Sequence, residues 1–208
     1  MLNFEALRNG RKVTDPFTYM VAENALSQDE AAAIRRDYPE IKATGYLPLS
    51  RLDSRGAFQE LMTDLQSETL TEILSDKLDL DLADKPRMIT VRRLSKLSDG
   101  EIHNDSVSKL CTMLVYLNET WDEAEGGAIR ALNTSDDMDN YAEEVKPLAG
   151  NVFAFARSDN SWHGHPPFAG ERYVVQTTYL TSQEELDRKE RTGGWQMQLK
   201  KVFDRLMK

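Results

Sequence analysis

The sequence predicts a single mainly β domain with flanking α-helices, an antiparallel jelly roll, and three observations lead there. The middle of the chain carries short β-branched and aromatic runs. Clusters of Gly, Asp, Asn and Pro separate these runs, with no long helix between them. Helical apolar spacing is confined to the two ends. Strands that follow one another without crossover helices pair antiparallel, and a jelly roll buries one face of each. A chain of 208 residues can build one good core. The expected division within that one domain is a flanking, mainly helical part over 1–86, a jelly-roll core over 87–182 and a C-terminal helix over 183–208.

The elements follow in chain order. Ser27 and Glu30 have capping-box spacing ahead of an apolar run, which predicts a helix over 28–37, with Pro39 just beyond its end. Phe58, Leu61, Leu65, Leu70 and Ile73 recur at helical intervals and predict one or two amphipathic helices over 57–74 that pack on a sheet. Strands are expected over 88–94, 109–117, 128–132, 151–156 and 172–180. The segments 44–56 and 134–144 fall between elements and are the expected lids over a site. In the tail, Trp195, Leu199, Val202, Phe203 and Leu206 form an apolar stripe. Core packing is its expected role, with a homodimer contact as the alternative.

Composition narrows the function. Hydrophobic residues make up 40% and charged residues 29%, an ordinary globular balance. The formal charge of −9 is wrong for a surface that neutralises phosphates, so no nucleic-acid partner is expected. No run approaches the roughly 18 apolar residues of a membrane span, and the opening MLNFEALRNGRK lacks a signal-like apolar segment. The expectation is a cytoplasmic protein without a membrane partner. Cys111 is the sole cysteine, which excludes an intrachain disulfide and a zinc–cysteine cluster. Within its apolar run Cys111 reads as a small buried hydrophobe and not a nucleophile.

The chemistry concentrates in three histidines, His103, His163 and His165, all beside predicted strands. His103 and Asp105 are two residues apart, so on an extended segment they share one face and could bind one ion together. A third ligand from a distant strand, His163 or His165, would complete two imidazoles and a carboxylate, leaving positions open for substrate and oxygen. His163 and His165 are also two apart, so periodicity does not choose between them. Such a triplet is weak evidence by itself.

The surrounding text strengthens it. Tyr116-Leu117-Asn118 ends a strand, Gly126-Gly127 precedes the next, Pro147-Leu148-Ala149-Gly150 makes a turn, and Arg172 follows His163 by nine residues. This order, from His103 to Tyr179, resembles the prolyl-4-hydroxylase-like branch of the Fe(II)/2-oxoglutarate-dependent oxygenase superfamily. The resemblance implies a double-stranded β-helix, cupin-like fold. It implies Fe(II) held by His103, Asp105 and His163, with 2-oxoglutarate as cosubstrate and O2 as oxidant. His163 is preferred to His165 because its spacing to the arginine is closer to the family's usual ten. Arg172 then takes the distal carboxylate of oxoglutarate, for which its planar fork is suited, with Arg92 or Arg130 next in line. Thr112 and Thr90 are further expected oxoglutarate contacts, while His165, Trp162, Tyr116 and Arg92 are expected around the metal or in the substrate pocket. No catalytic group beyond the metal centre is implied.

The activity implied is dioxygenase hydroxylation of a C–H bond in an amino-acid-like, peptidyl-prolyl or natural-product substrate, with release of succinate and CO2. The partner is thus a small molecule or a peptide. Two readings compete: a metal-free jelly-roll module that binds a carbohydrate or a protein, and a cupin-like metal enzyme that uses no oxoglutarate.

Overall fold

The computed structural model describes residues 1–122 and 126–191. Four α-helices lie in the first part of the chain: α1 (Phe4–Arg8), α2 (Gln28–Arg36), α3 (Gly56–Leu65) and α4 (Glu68–Leu78). Three short strands are interspersed with them, β1 (Arg11–Val13), β2 (Tyr19–Ala22) and β3 (Leu47–Pro48). The remainder is β4 (Arg87–Ser95), β5 (Lys109–Tyr116), β6 (Ile129–Leu132), β7 (Tyr141–Val145), β8 (Val152–Ala156), β9 (His163–Gly164) and β10 (Gly170–Leu180). A further helix covers 183–191. The apolar stripe expected beyond Trp195 lies outside the described residues.

These strands form two antiparallel sheets, a large one in the order β1-β2-β8-β5-β10-β4-β3 and a small one in the order β7-β6-β9. Period-two alternation sorts their side chains onto two faces. In register across the large sheet, Met20 opposes Ala154, Ala154 opposes Met113, and Met113 opposes Thr177. That face carries Val91, Val115 and Val175 as well and packs on the helices through Phe58, Leu61, Leu65, Ile73 and Leu74. The opposite face presents Tyr19, Phe153, Phe155, Leu114, Tyr116 and Val174, which meet Ile129, Ala131 and Val145 of the small sheet. The apolar interior therefore has two layers, one under the helices and one between the sheets. The second layer is where the polar residues of the site emerge.

Two helical expectations resolve at their caps. Ser27 Oγ accepts from the Glu30 amide at 3.2 Å and Glu30 Oε2 accepts from the Ser27 amide at 2.8 Å, so α2 opens on a complete capping box and closes at Asp37. Removing the hydroxyl with Ser27→Ala is expected to lower unfolding free energy by about 1 kcal/mol in a urea titration. In 57–74 the helix breaks once, because Ser67 caps a new one by accepting from the Leu70 amide at 3.2 Å. The result is two helices.

The part over 1–86 is less helical than its periodicity predicts. β1 and β2 extend the large sheet beyond β8, and β3 covers its other edge at β4. Strands of two to four residues are too short to establish alternation, so tertiary pairing decides them. The same holds for the two-residue β9, while β7 reads Tyr-Ala-Glu-Glu-Val and is polar because it is an edge. Within 134–144, one expected lid therefore runs into a strand. Cys111 is 1% exposed, and burial pushes its thiol up to about 12, far from nucleophilic. Among the described residues no helix is long and apolar enough to cross a membrane.

Candidate metal centre

The cavity between the sheets is built from opposite walls. β9 places His163 against the segment that joins β4 to β5, where His103 and His163 exchange both backbone hydrogen bonds at 3.0 and 3.1 Å. That isolated bridge brings the two imidazole centroids to 4.3 Å. Asp105, on the same face as His103, completes a group whose ligand atoms all lie within 4.8 Å of one another. Asn104 points the other way, donating to Ser158 O at 2.7 Å and accepting from Ser161 Oγ at 2.7 Å, and ties the His103 segment to the turn before His163.

The donor chemistry suits a divalent iron. His103 Nδ1 meets Glu101 O at 2.8 Å and His163 Nδ1 meets Ser161 O at 2.9 Å. A carbonyl can only accept, so both Nδ1 atoms carry a proton and Nε2 is the nitrogen that each ring offers to a metal. Burial holds His163 neutral, its pKa lowered to about 4, with Phe155 packed 4.4 Å from its ring. Burial opposes ionisation of Asp105, but the Lys109 ammonium and the Thr112 hydroxyl beside it outweigh burial and keep the carboxylate below its ordinary range. Thr112 donates to Asp105 Oδ2 at 2.7 Å and Lys109 pairs with Oδ1. Two imidazoles and one anionic carboxylate with its orientation fixed form a donor set suited to Fe(II).

The same cavity, about 200 Å³, is lined further by Arg172, Arg92, His165, Gln176, Tyr46 and Leu114. Arg172 is 1% exposed, yet among the described residues only two of its donor nitrogens find an acceptor, Nε at Gly127 O at 3.0 Å and one terminal nitrogen at Tyr116 Oη at 3.3 Å. A buried guanidinium with a free fork is suited to a carboxylate ligand. His165 lies outside the ligand group. Its amide donates to Gly100 O at 2.8 Å, its Nδ1 meets Pro166 O at 2.9 Å, and its ring closes so tightly on Gly100 that a Cβ there would lie 2.3 Å from it. Thr90 faces the interior from β4 with no partner for its hydroxyl, but it does not line the cavity. Trp162, half-buried, is also away from the lining, and Tyr116 reaches the site through Arg172.

Arg130, the other arginine considered for oxoglutarate, is taken. It pairs with Glu144 at 2.6 Å and Asp139 at 2.7 Å and stacks on Tyr141, outside the cavity. Of the residues that sequence reasoning missed, Lys109 was within reach, being four residues from Asp105 at the start of a strand. Phe155 and Tyr46 depend on packing between distant segments and carried no local signal.

Residues 91–180 match the family model of the 2OG-Fe(II) oxygenase superfamily, a span that contains the three metal-binding candidates and Arg172. Over this core the chain is similar to that superfamily. Fe(II) and 2-oxoglutarate are the cofactor and cosubstrate that this similarity implies, and the donor set of His103, Asp105 and His163 fits the metal. The metal-free module is thereby set aside. Solved structures share the fold: prolyl 4-hydroxylase from Phytophthora capsici at 20% identity, covering 93% of this chain and 76% of that one with a TM-score of 0.58. A Pseudomonas putida prolyl-4-hydroxylase is 16% identical over 79% of this chain and 92% of its own, TM-score 0.55. The viral collagen prolyl hydroxylase of Paramecium Bursaria Chlorella virus-1, solved with 2OG, is 18% identical over 82% and 99%, TM-score 0.54. No curated protein matches the sequence.

Proposed function

We propose that the protein hydroxylates a C–H bond of an amino-acid-like, peptidyl-prolyl or natural-product substrate, converting oxoglutarate to succinate and CO2. The observation that carries this reading is the placement of His103, Asp105, His163 and Arg172 around one cavity. His103, Asp105 and His163 would hold the metal, and Arg172 with Tyr116 the distal carboxylate of oxoglutarate. Iron and oxoglutarate, when bound, supply the activation of O2 that the protein's own side chains lack. What this chain adds is order. The backbone carbonyls of Glu101 and Ser161 fix both imidazole tautomers, and Thr112 and Lys109 fix the carboxylate. Leu114, Ile129 and Phe155 line the wall with apolar surface and keep bulk water from the reacting atoms.

Thr112 acts on the metal ligand in this reading and not on oxoglutarate, and Thr90 is left as a buried sheet residue. Succinate should form only when Fe(II), oxoglutarate and O2 are all present, and its rate should rise with an accepted substrate. Succinate formation that is insensitive to removal of iron would sink the reading.

A further inference from the structure

One cation that lines the cavity is only loosely satisfied by the protein. The charged lining of the cavity is Arg92, Lys109, Arg172 and Asp105. Lys109 pairs with Asp105, and Arg172 is committed to oxoglutarate in the reading above, on which this inference rests. Arg92 remains. Its side chain is only 10% exposed, and its nearest carboxylate, Asp99, stands at 3.5 Å, longer than the roughly 2.7–2.9 Å of a charge-assisted hydrogen bond. Ser95 Oγ accepts from one terminal nitrogen at 3.3 Å, and among the described residues Nε has no hydrogen-bond acceptor. A buried guanidinium so poorly satisfied carries a desolvation cost that a ligand anion would offset.

We infer that Arg92 is the anchor for a carboxylate carried by the substrate, so that the protein acts on a small acid in preference to a neutral molecule. The two arginines occupy different flanks. β10 lies between β5 and β4, and Arg172 turns toward Tyr116 of β5 and Gly127, whereas Arg92 rises from β4. There the Tyr46 ring, 4.3 Å from the guanidinium carbon, holds its plane in place from the 44–56 segment. Two separated forks suit two separate carboxylates, one on the cosubstrate and one on the substrate. Asp99 sets the charge of the second: so close a carboxylate repels a dianion such as phosphate and tolerates a monoanion.

The test uses protein loaded with Mn(II) and oxoglutarate, which cannot turn over, titrated calorimetrically with free L-amino acids and with the carboxamide of each. At least one acid is expected to bind more tightly than its amide. Arg92→Gln should weaken that acid roughly ten- to hundred-fold, with little effect on the amide. Arg92→Lys should fall between, and oxoglutarate affinity should persist in both variants. Thermal unfolding confirms that each is folded, and should Arg92→Gln not fold, the intermediate affinity expected of Arg92→Lys decides. Acids that bind no better than their amides throughout the set overturn the inference. So does an Arg92→Gln protein that loses oxoglutarate as severely as acid, which would make Arg92 a second cosubstrate cation. Failure of wild-type protein to bind oxoglutarate would sink the oxygenase reading, and this inference with it, whereas oxoglutarate binding without acid preference sinks the inference alone.

Discussion

His103→Ala is expected to abolish metal-dependent succinate formation while leaving the thermal unfolding midpoint close to wild type. The asymmetry follows from its position. His103 is exposed and its side chain makes one hydrogen bond, so the fold loses little when the ring is removed. The metal would lose one of three protein ligands. His163→Ala should abolish turnover equally but also destabilise, since it empties a buried space beside Phe155. Asp105→Ala should be the most damaging to the fold, because it leaves Lys109 and Thr112 without their acceptor in a site only 4% exposed, a loss of about 1–3 kcal/mol. His165→Ala should be milder in metal content, the ring being outside the ligand group. Metal content after dialysis, measured beside unfolding curves, separates these effects. Wild-type iron binding by His103→Ala or Asp105→Ala would refute the assignment of ligands.

What was legible in the sequence depended on how local the cause was. The capping box at Ser27 involves two residues three apart, and the structure forms it as the spacing predicts. β4, β5, β8 and β10 are long and apolar enough for their composition to reveal them, and their observed ends lie within two residues of expectation. β1, β2 and β3 were invisible because they are strands only by virtue of neighbours far along the chain. The site shows the same division. His103 and Asp105 advertise a shared face by their spacing, but the pairing of His103 with His163 spans sixty residues and came from the family resemblance. The choice between His163 and His165 was likewise open to periodicity. In space the two differ plainly, because the chain leaving β9 pairs His165 with Gly100 and leaves it outside the ligand group. Arg130 and Arg92 look alike as letters, and only the carboxylates of Glu144 and Asp139 in the folded chain remove the first from contention.

Arg172→Ala should raise the dissociation constant for oxoglutarate by roughly two to four orders of magnitude, the consequence of removing one side of a buried ion pair at about 3–5 kcal/mol. The size of the effect rests on burial. Arg172 is 1% exposed, so little water screens the carboxylate it would hold, and the Tyr116 hydroxyl accepts from one of its terminal nitrogens at 3.3 Å. Burial raises the pKa of that phenol against the lowering influence of Arg172, so it stays neutral and can donate to the same carboxylate. Arg172→Lys should lie between wild type and Ala, retaining charge but losing the fork and the bond to Gly127 O. The metal ligands are untouched by either change. Anaerobic titration should therefore show iron binding near wild type while oxoglutarate affinity falls, a split that general misfolding would not produce. If Arg172→Ala binds oxoglutarate as tightly as wild type, the cosubstrate anchor lies elsewhere. With Arg130 saturated by Glu144 and Asp139 and Lys109 held by Asp105, Arg92 is then the cavity cation that must supply it.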